Sequence, residues 1–490
     1  MSSAALHAGL ADAWALNRPD LGELGRPHVV VALPSFSLAP TIMRHYAARI
    51  PALEHRYLLS ALMLARIPTS NLVFICTQQP DDVVIDHYVD LAGDPTVRDR
   101  LHVVVVPDDT PRPIAAKLLD RPDLIGLVRR VIDGRPAFLE PWNVTEHEVD
   151  VAAAIGIPVN GTSPDLWHLG FKSAGRQLFT QLAVPVPEGA ADVHSIDEAA
   201  MVIERMRERL PQLPAVVLKH DDSGAGDGNA VIGLVRADGT PLGNAEVRTS
   251  LETLPEWYRA DLLLGAVVEE LVTGPGVTSP SAQLDIKPHG EVEVLSTHEQ
   301  VLGGANGQVY LGCRFPADPG YAGQLARQAQ KVGVELARFG ARGRVGLDFM
   351  ARPLKGGGVE TLALEINLRK GGTTHPFTAL RCLVPGRYDA ETVRWVTADG
   401  KPRYYSATDN LQRDSWLGLS VPDVLAAVQA AGLSFDPQRG TGVVLHMVSC
   451  LAVDGRLGVI AIATSPAEAD ALVAATERVV DDVRVPARRV

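Results

Sequence analysis

The stretch LALEINLRKGGTTHP, residues 362–376, sets two hard oxygen donors beside a cationic turn. Strand side chains alternate with a period of two, so Glu365 and Asn367 share one face while Leu362, Leu364 and Ile366 take the other. Upstream, RVGLDFM (344–350) carries Asp348, and LKGGG joins the two runs. A hairpin folded symmetrically about Gly356–Gly357 puts Asp348 opposite Glu365, with Cβ atoms about 4.5–5.5 Å apart. Carboxylates that close repel each other unless a cation lies between them. Asp, Glu and Asn suit magnesium, which takes one or two carboxylates together with phosphate oxygens and water. An exposed polar hairpin face would use the same three residues. The adjoining Arg369-Lys370-Gly371-Gly372 weighs toward a metal and a phosphate.

Other positions could meet that phosphate. Lys219 follows the apolar run AVVL and opens the loop HDDSGAGDGN (220–229). Ser223 with Gly224, Gly226 and Gly228 allows close backbone approach, and successive N–H groups can cradle phosphate oxygens. The loop joins two strands rather than entering a helix, and no GxxxxGK[ST] occurs, so it is not a P-loop. Lys172 lies in an apolar helical pattern with Phe171, Ala174, Leu178, Phe179 and Leu182. Glu269, Glu270 and Leu271 end a strand-like run, where a carboxylate and backbone groups can hold an adenine amino group and a ribose. Taken singly, each has a plain structural reading: a flexible hairpin, a solvated helix lysine, a strand reaching water. HEQVL (298–302) and HEVDV (147–151) lack the second histidine of a zinc protease, and no GxSxG elbow occurs.

These residues need elements to position them. The 490 residues are 46% hydrophobic and 21% charged, an ordinary globular balance sufficient for several domains. Region 1–160 alternates strand-like runs, HVVVAL (28–33), NLVFIC (71–76) and LHVVVV (101–106), with helical patterns such as 51–65; this predicts a parallel α/β unit. Region 161–385 predicts a helix from TSPD to about Leu182 and strands at 215–219, 230–235 and 266–272. A helix over 322–338, stopped by Gly340, and the hairpin 344–368 complete it. Region 386–490 predicts a small α+β domain: TGVVLHMVSCLA and RLGVIAIA turned at Asp454–Gly455, then a helix from Ser465.

The net charge of −12, with no basic tract, argues against a nucleic-acid binder. Cys76, Cys313, Cys382 and Cys450 have neither zinc nor redox spacing, which fits a reducing cytoplasm. No apolar run reaches the roughly 20 residues that span a bilayer, and the N-terminus lacks a signal-peptide pattern. Eight lysines among 46 Lys+Arg leave 38 arginines, so a lysine in a special place is informative.

The order of the pieces resembles the ATP-grasp superfamily over about 165–375: helix lysine, strand–Lys–Gly-rich loop, strand–Glu–Glu, Asp, then Glu-x-Asn. FLEPWNVTEHE (138–148), STHEQVLGGANGQVYLGCRFPA (296–317) and ALEINLRKGGTTHPF (363–377) look like the pheganomycin-type peptide ligases. That resemblance implies a preATP-grasp α/β domain, an ATP-grasp core and a small C-terminal domain. It implies ATP-dependent amide formation between amino acids or short peptides in natural-product biosynthesis, with glutamate a candidate substrate. Lys172 and Lys219 would bind phosphates under the 222–229 loop, and Glu269 to Leu271 would line the adenine pocket. Asp348, Glu365 and Asn367 would hold magnesium, or manganese in its place, and Arg369 would assist with Lys219 in catalysis. His298, Gln300, Arg314 and Arg369 are the candidates for recognising an amino-acid substrate. Two departures stand out. Gly276 falls where an acidic ribose contact is expected, and Gly346 replaces an arginine, leaving that charge to Arg344 or Arg369. The competing functions are another ATP-grasp reaction, carboxylase or kinase, and an ATP-binding protein without turnover. The residues specify no assembly; a homodimer is the working assumption.

Overall fold

A computed structural model describes residues 3–17, 26–37, 43–44, 46–223, 228–303, 309–389 and 391–484. The N-terminal sheet is parallel, in spatial order Leu101–Val105, Ser70–Cys76, His28–Leu33, Ala137–Pro141. Every residue of His28–Leu33 is buried, as a central strand covered on both faces requires. The fourth strand, AFLEP, escapes sequence detection because it is short and ends in Glu140 and Pro141. The carboxyl ends of the His28–Leu33 and Ala137–Pro141 strands open onto the main cavity, through Phe36 and Ser37 on one and Trp142 on the other. Ligand crevices in open α/β sheets lie on this side. The helix expected over 51–65 breaks into Ile50–His55, a 3-10 segment Arg56–Ala61, and Leu62–Arg66.

A second, antiparallel sheet runs Gly189–Ala190, Ala266–Glu270, Ala215–His220, Asn229–Gly233. Helices Ile196–Arg209 and Asn244–Glu252 pack on it through Ile203, Met206 and Leu251 against Val216, Leu218 and Val268.

The third sheet has ten strands, beginning Val359–Asn367, Gly343–Pro353, Pro280–Ile286, Val292–Gly303, Val309–Phe315, Pro402–Gln412. Helix Ala322–Phe339 covers it, setting Leu325, Val332 and Leu336 over Leu284, Leu347 and Phe349. A Cβ at Gly333 would meet Leu284 and Val292 at 2.7 Å, so glycine sets how closely that helix approaches. The strands of 386–490 continue this same sheet: Pro402–Gln412 pairs with Val309–Phe315 and with Arg456–Ala463. The Gly442–His446 strand is shorter than the sequence suggests, because Met447 takes φ 52° and starts a 3-10 turn. Among the described residues, no helix is long and apolar enough to cross a membrane.

Candidate active site

The Gly343–Pro353/Val359–Asn367 hairpin does pair Asp348 with Glu365, by an unforeseen route. Its ends pair Pro353 with Val359, so the turn centres on Gly356; Leu364 is then an extra, bulged residue that shifts the register by one. Without the bulge Asp348 would face Leu364. Asp348 Oδ1 accepts from Gln300 Nε2 at 2.6 Å, and Oδ2 accepts from Asn367 Nδ2 at 3.0 Å. Burial pushes the Asp348 carboxyl up to about 6, with the Glu365 charge adding to it. A hard-oxygen pair held this close, braced by two neutral amides and destabilised as an anion, fits a divalent cation of the magnesium type.

Lys172 differs from the expected mid-helix residue. Pro164–Gly170 is 3-10, Phe171 is extended, and Lys172 is the first residue of helix Lys172–Gln181. The close packing of Gly170 on the Ile366 carbonyl, 3.3 Å from an added Cβ, places the break against the Val359–Asn367 strand. Lys172 Nζ donates to the Ser223 carbonyl at 2.7 Å and to Ser223 Oγ at 3.0 Å, and lies 3.6 Å from Glu365 Oε1. It therefore ties the start of the Gly-rich loop to the carboxylate pair. Gly224 and Gly226 lie outside the described residues, as do residues 304–308 of the stretch 296–317.

Lys219 and Glu269 lie on paired strands, with Lys219 Nζ 2.8 Å from Glu269 Oε2. Arg176 takes the other oxygen at 2.8 Å, and Glu269 is 2% exposed. Glu269 thus holds two basic side chains at the cavity wall, with both carboxylate oxygens engaged. Glu270 is likewise engaged, by Arg352 at 2.9 Å and the Glu188 N–H at 3.1 Å. Leu271 lines the cavity beside them. Gly276 has φ 76° and is not among the lining residues.

Two expected substrate contacts do not reach the site. His298 is fully buried, its Nε2 2.6 Å from Tyr405 Oη, and burial alone pushes its pKa down to about 3. Arg314 pairs with Asp470 at 2.9 Å on the surface. Gln300 does line the cavity, but its amide is spent on Asp348.

One cavity of about 930 Å³ brings Lys172, Lys219, Ser223, Glu269, Glu270, Leu271, Gln300, Asp348, Glu365, Asn367 and Arg369 together. Arg369 has no carboxylate within ion-pair distance among the described residues; its guanidinium stacks 4.9 Å over Trp142. The neighbouring Lys370 is buried and held by Glu140 at 2.6 Å. The N-terminal FLEPWN strand end thereby holds the cationic turn in place.

Sequence reading missed a further cluster. Asp409 lines the cavity, bonded through Oδ2 to Arg56 and through Oδ1 to His375 Nε2 at 3.0 Å, with His446 Nε2 at 3.6 Å. Two histidines and a carboxylate within 4.8 Å of one another are also a metal-ligand set. The Arg56 guanidinium already neutralises Asp409, and a divalent ion there would sit beside a buried cation, so the cluster reads as a hydrogen-bonded brace for Arg56.

Residues 423–476 match the family described as PGM1 C-terminal domain. The chain is 30% identical over 424 residues to an L-propargylglycine--L-glutamate ligase of Streptantibioticus cattleyicolor, covering 83% of this chain and 84% of that one. Among solved structures, the ADP complex of an N5-carboxyaminoimidazole ribonucleotide synthetase superposes with a TM-score of 0.53 at 11% identity, over 94% of this chain and 99% of that one. A biotin carboxylase–ATP complex from Campylobacter jejuni gives a TM-score of 0.53 at 12% identity, over 91% and 89%. At such identities these likenesses concern the fold.

Proposed function

The chain belongs to the pheganomycin-type amino-acid ligases and has the ATP-grasp fold, and from that premise we propose how its cavity joins a carboxylate to an amine with release of ADP. The observation that carries the reading is one cavity with two lysines, an arginine that has no ion-pair carboxylate among the described residues, and a facing carboxylate pair. ATP lies with its phosphates toward Lys172 and Lys219 and its base toward Glu270–Leu271. Asp348, Glu365 and Asn367 would hold magnesium, or manganese in its place; when bound, the ion would neutralise phosphate charge.

A free carboxylate resists an amine because oxide is a hopeless leaving group. Its oxygen therefore attacks the γ-phosphorus, the bond to the β-phosphate oxygen breaks, and ADP leaves an acyl phosphate. The amine then attacks the acyl carbon, loses a proton, and phosphate departs with the bonding pair. Such transfer needs positioning and charge neutralisation more than covalent help from the protein. Lys219, fixed by Glu269, and Arg369, fixed over Trp142, supply preorganised positive charge. The substrates we assign are two amino acids, or an amino acid and a short peptide, with L-glutamate first to be tried because it is a substrate of the Streptantibioticus relative.

The test is ADP and phosphate release from Mg–ATP with pairs of amino acids, followed by mass spectrometry. ADP release that requires both partners, with a product one water lighter than their sum, supports the reading. AMP with pyrophosphate, or a stable phosphorylated product from one substrate, overturns it.

A further inference from the structure

One segment of the N-terminal region holds the two neighbouring cations Arg369 and Lys370 in opposite ways. Lys370 is buried; its Nζ meets Glu140 Oε1 at 2.6 Å, and Asn160 Nδ2 donates to Glu140 Oε2 at 2.6 Å. That charge is cancelled where it stands. Arg369 lines the cavity, and its guanidinium carbon lies 4.9 Å from the centre of the Trp142 ring. An aromatic face attracts a cation through its quadrupole without supplying a negative charge. A carboxylate in the same place would fix Arg369 equally well but would leave little positive charge for a phosphate. The indole holds the guanidinium and spares its charge. That charge acts on the carboxylate pair: it draws the Asp348 carboxyl down against the effect of burial.

Trp142 is itself set in place before any ligand arrives. It follows the Ala137–Pro141 strand; its N–H donates to the Leu33 carbonyl at 3.2 Å, and its carbonyl accepts from the Lys370 N–H at 3.0 Å. Beside it, the buried Asn143 amide is bonded to the Ser37 backbone in both directions. Asn143 Nδ2 donates to the Ser37 carbonyl at 2.9 Å, and Oδ1 accepts from the Ser37 N–H at 3.2 Å. These bonds join the segments that follow His28–Leu33 and Ala137–Pro141, and Phe36 packs 5.0 Å from Trp142 between ring centroids. Ser37 Oγ donates in turn to Glu148 Oε1 at 2.6 Å, and Glu148 completes the capping box of helix Glu146–Ile155. The wall behind Arg369 is thus tied into the framework of the parallel sheet.

We propose that the N-terminal α/β region acts in the phosphoryl-transfer step through Trp142, a positioning residue that aims the uncancelled charge of Arg369 at the transferring phosphate, while Glu140 and Asn143 hold the turn and the indole in register. This rests on the ligase reading above. The role is electrostatic preorganisation: charge placed beforehand needs no rearrangement as negative charge builds on the transferring group. Its loss is therefore felt in turnover rather than in nucleotide binding, because Lys172 and Lys219 remain for the phosphates of ATP. A group that acts only in the transition state lowers kcat and kcat/KM together when it is displaced. A merely structural tryptophan would instead show its loss in stability, or equally whatever residue stands at 369.

The experiment measures ADP release by the full-length protein with Mg–ATP and the amino-acid pair that turns over fastest. It compares the wild type, Trp142→Leu, Arg369→Lys and the two substitutions together, each checked by its urea unfolding midpoint. Trp142→Leu is expected to lower kcat about thirtyfold, the worth of a desolvated cation–π contact, and to leave the KM for Mg–ATP near its wild-type value. Arg369→Lys keeps the charge and measurable turnover but loses the planar group that lies on the indole. On that background Trp142→Leu should cost less than about threefold, since the two residues act as one unit. Trp142→Phe keeps a smaller aromatic face and should lose only about fivefold, so it carries the same comparison on both backgrounds if the leucine variant unfolds. A loss that multiplies unchanged on the Arg369→Lys background, a loss confined to the KM for Mg–ATP, or a phenylalanine variant as slow as the leucine one would each overturn the assignment and leave the ligase reading standing. No ADP release by the wild-type protein with any amino-acid pair would overturn the ligase reading, and the assignment with it.

Discussion

Glu365→Gln separates the chemistry of the carboxylate pair from its contribution to folding. Two electrostatic terms meet at Glu365. Lys172 Nζ is 3.6 Å from Oε1, an attraction of about 5 kcal/mol at an effective dielectric near 20. Against it stands repulsion from Asp348, the facing residue, on the order of 3 kcal/mol for carboxylates ~5 Å apart. The push of Asp348 up to about 6 is led by burial, with Glu365 second, which agrees with a repulsion of this modest size. Replacing Glu365 by glutamine removes both terms together. The net change in stability of the metal-free protein is therefore their difference, about 2 kcal/mol. The variant should fold.

Catalysis has no such cancellation. A glutamine cannot supply the charge that holds magnesium against the phosphates, and metal neutralisation of transferring charge is worth several kcal/mol, or roughly a thousandfold in rate. The assay is ADP release at saturating Mg–ATP and amino acids, beside urea unfolding followed by circular dichroism. The expected outcome is an unfolding midpoint near that of the wild type and turnover lower by about three orders of magnitude. A folded variant turning over within tenfold of the wild type would refute the assignment of Glu365 to the metal. Loss of more than ~3 kcal/mol of stability would refute the cancellation, and with it the view that Lys172 and Asp348 oppose each other at this residue.

Glu269→Ala strands Arg176 and Lys219 at a nearly closed site and should cost about 3–5 kcal/mol in urea unfolding; a loss below ~1 kcal/mol would mean the pair is not the anchor described. Glu54 is buried, accepts from the Thr77 N–H and Oγ1 at 2.6 and 2.7 Å, and is pushed by burial from an ordinary value near 4.5 up to about 7. Between those values the folded state holds a proton that the unfolded state has released, so stability falls as pH rises from about 4.5 to 7, by up to roughly 3 kcal/mol. Glu54→Gln should flatten that part of the profile of melting temperature against pH, and an unchanged slope would refute the source. Gly458→Ala would set a Cβ 2.1 Å from the His446 ring on the paired strand, so it should cost at least ~2 kcal/mol; an unchanged urea midpoint would show that the ring has room to move.

What the sequence shows and what it hides follow from the range of the interactions. The residues proposed to meet the nucleotide and the metal are legible because each stands at a strand or helix end next to its own turn chemistry: Lys219 before a glycine loop, Glu365 and Asn367 before Arg369 and two glycines. Even there the Asp348–Glu365 register came from two irregularities that cancel, a turn centred on Gly356 and a bulge at Leu364, and an apolar residue in an apolar strand gives no sign of a bulge. Across 296–315 local patterning was insufficient. His298 and Gln300 share a face by alternation, yet Tyr405 covers one while the other reaches the cavity. Arg314 pairs in register with Glu299, on the opposite face from Gln300, and only the pairing of Val292–Gly303 with Val309–Phe315 reveals it. Arg56 lies furthest from legibility, since Asp409, the residue that aims it, is 353 positions away. Phosphates look alike in every reaction of an ATP-dependent enzyme and can be met by compact motifs. A substrate pocket must fit one molecule, and this cavity draws Arg56 from a 3-10 segment, Trp142 from just past a strand end and Asp409 from within a distant strand, so what it selects is written in tertiary contacts rather than in a motif.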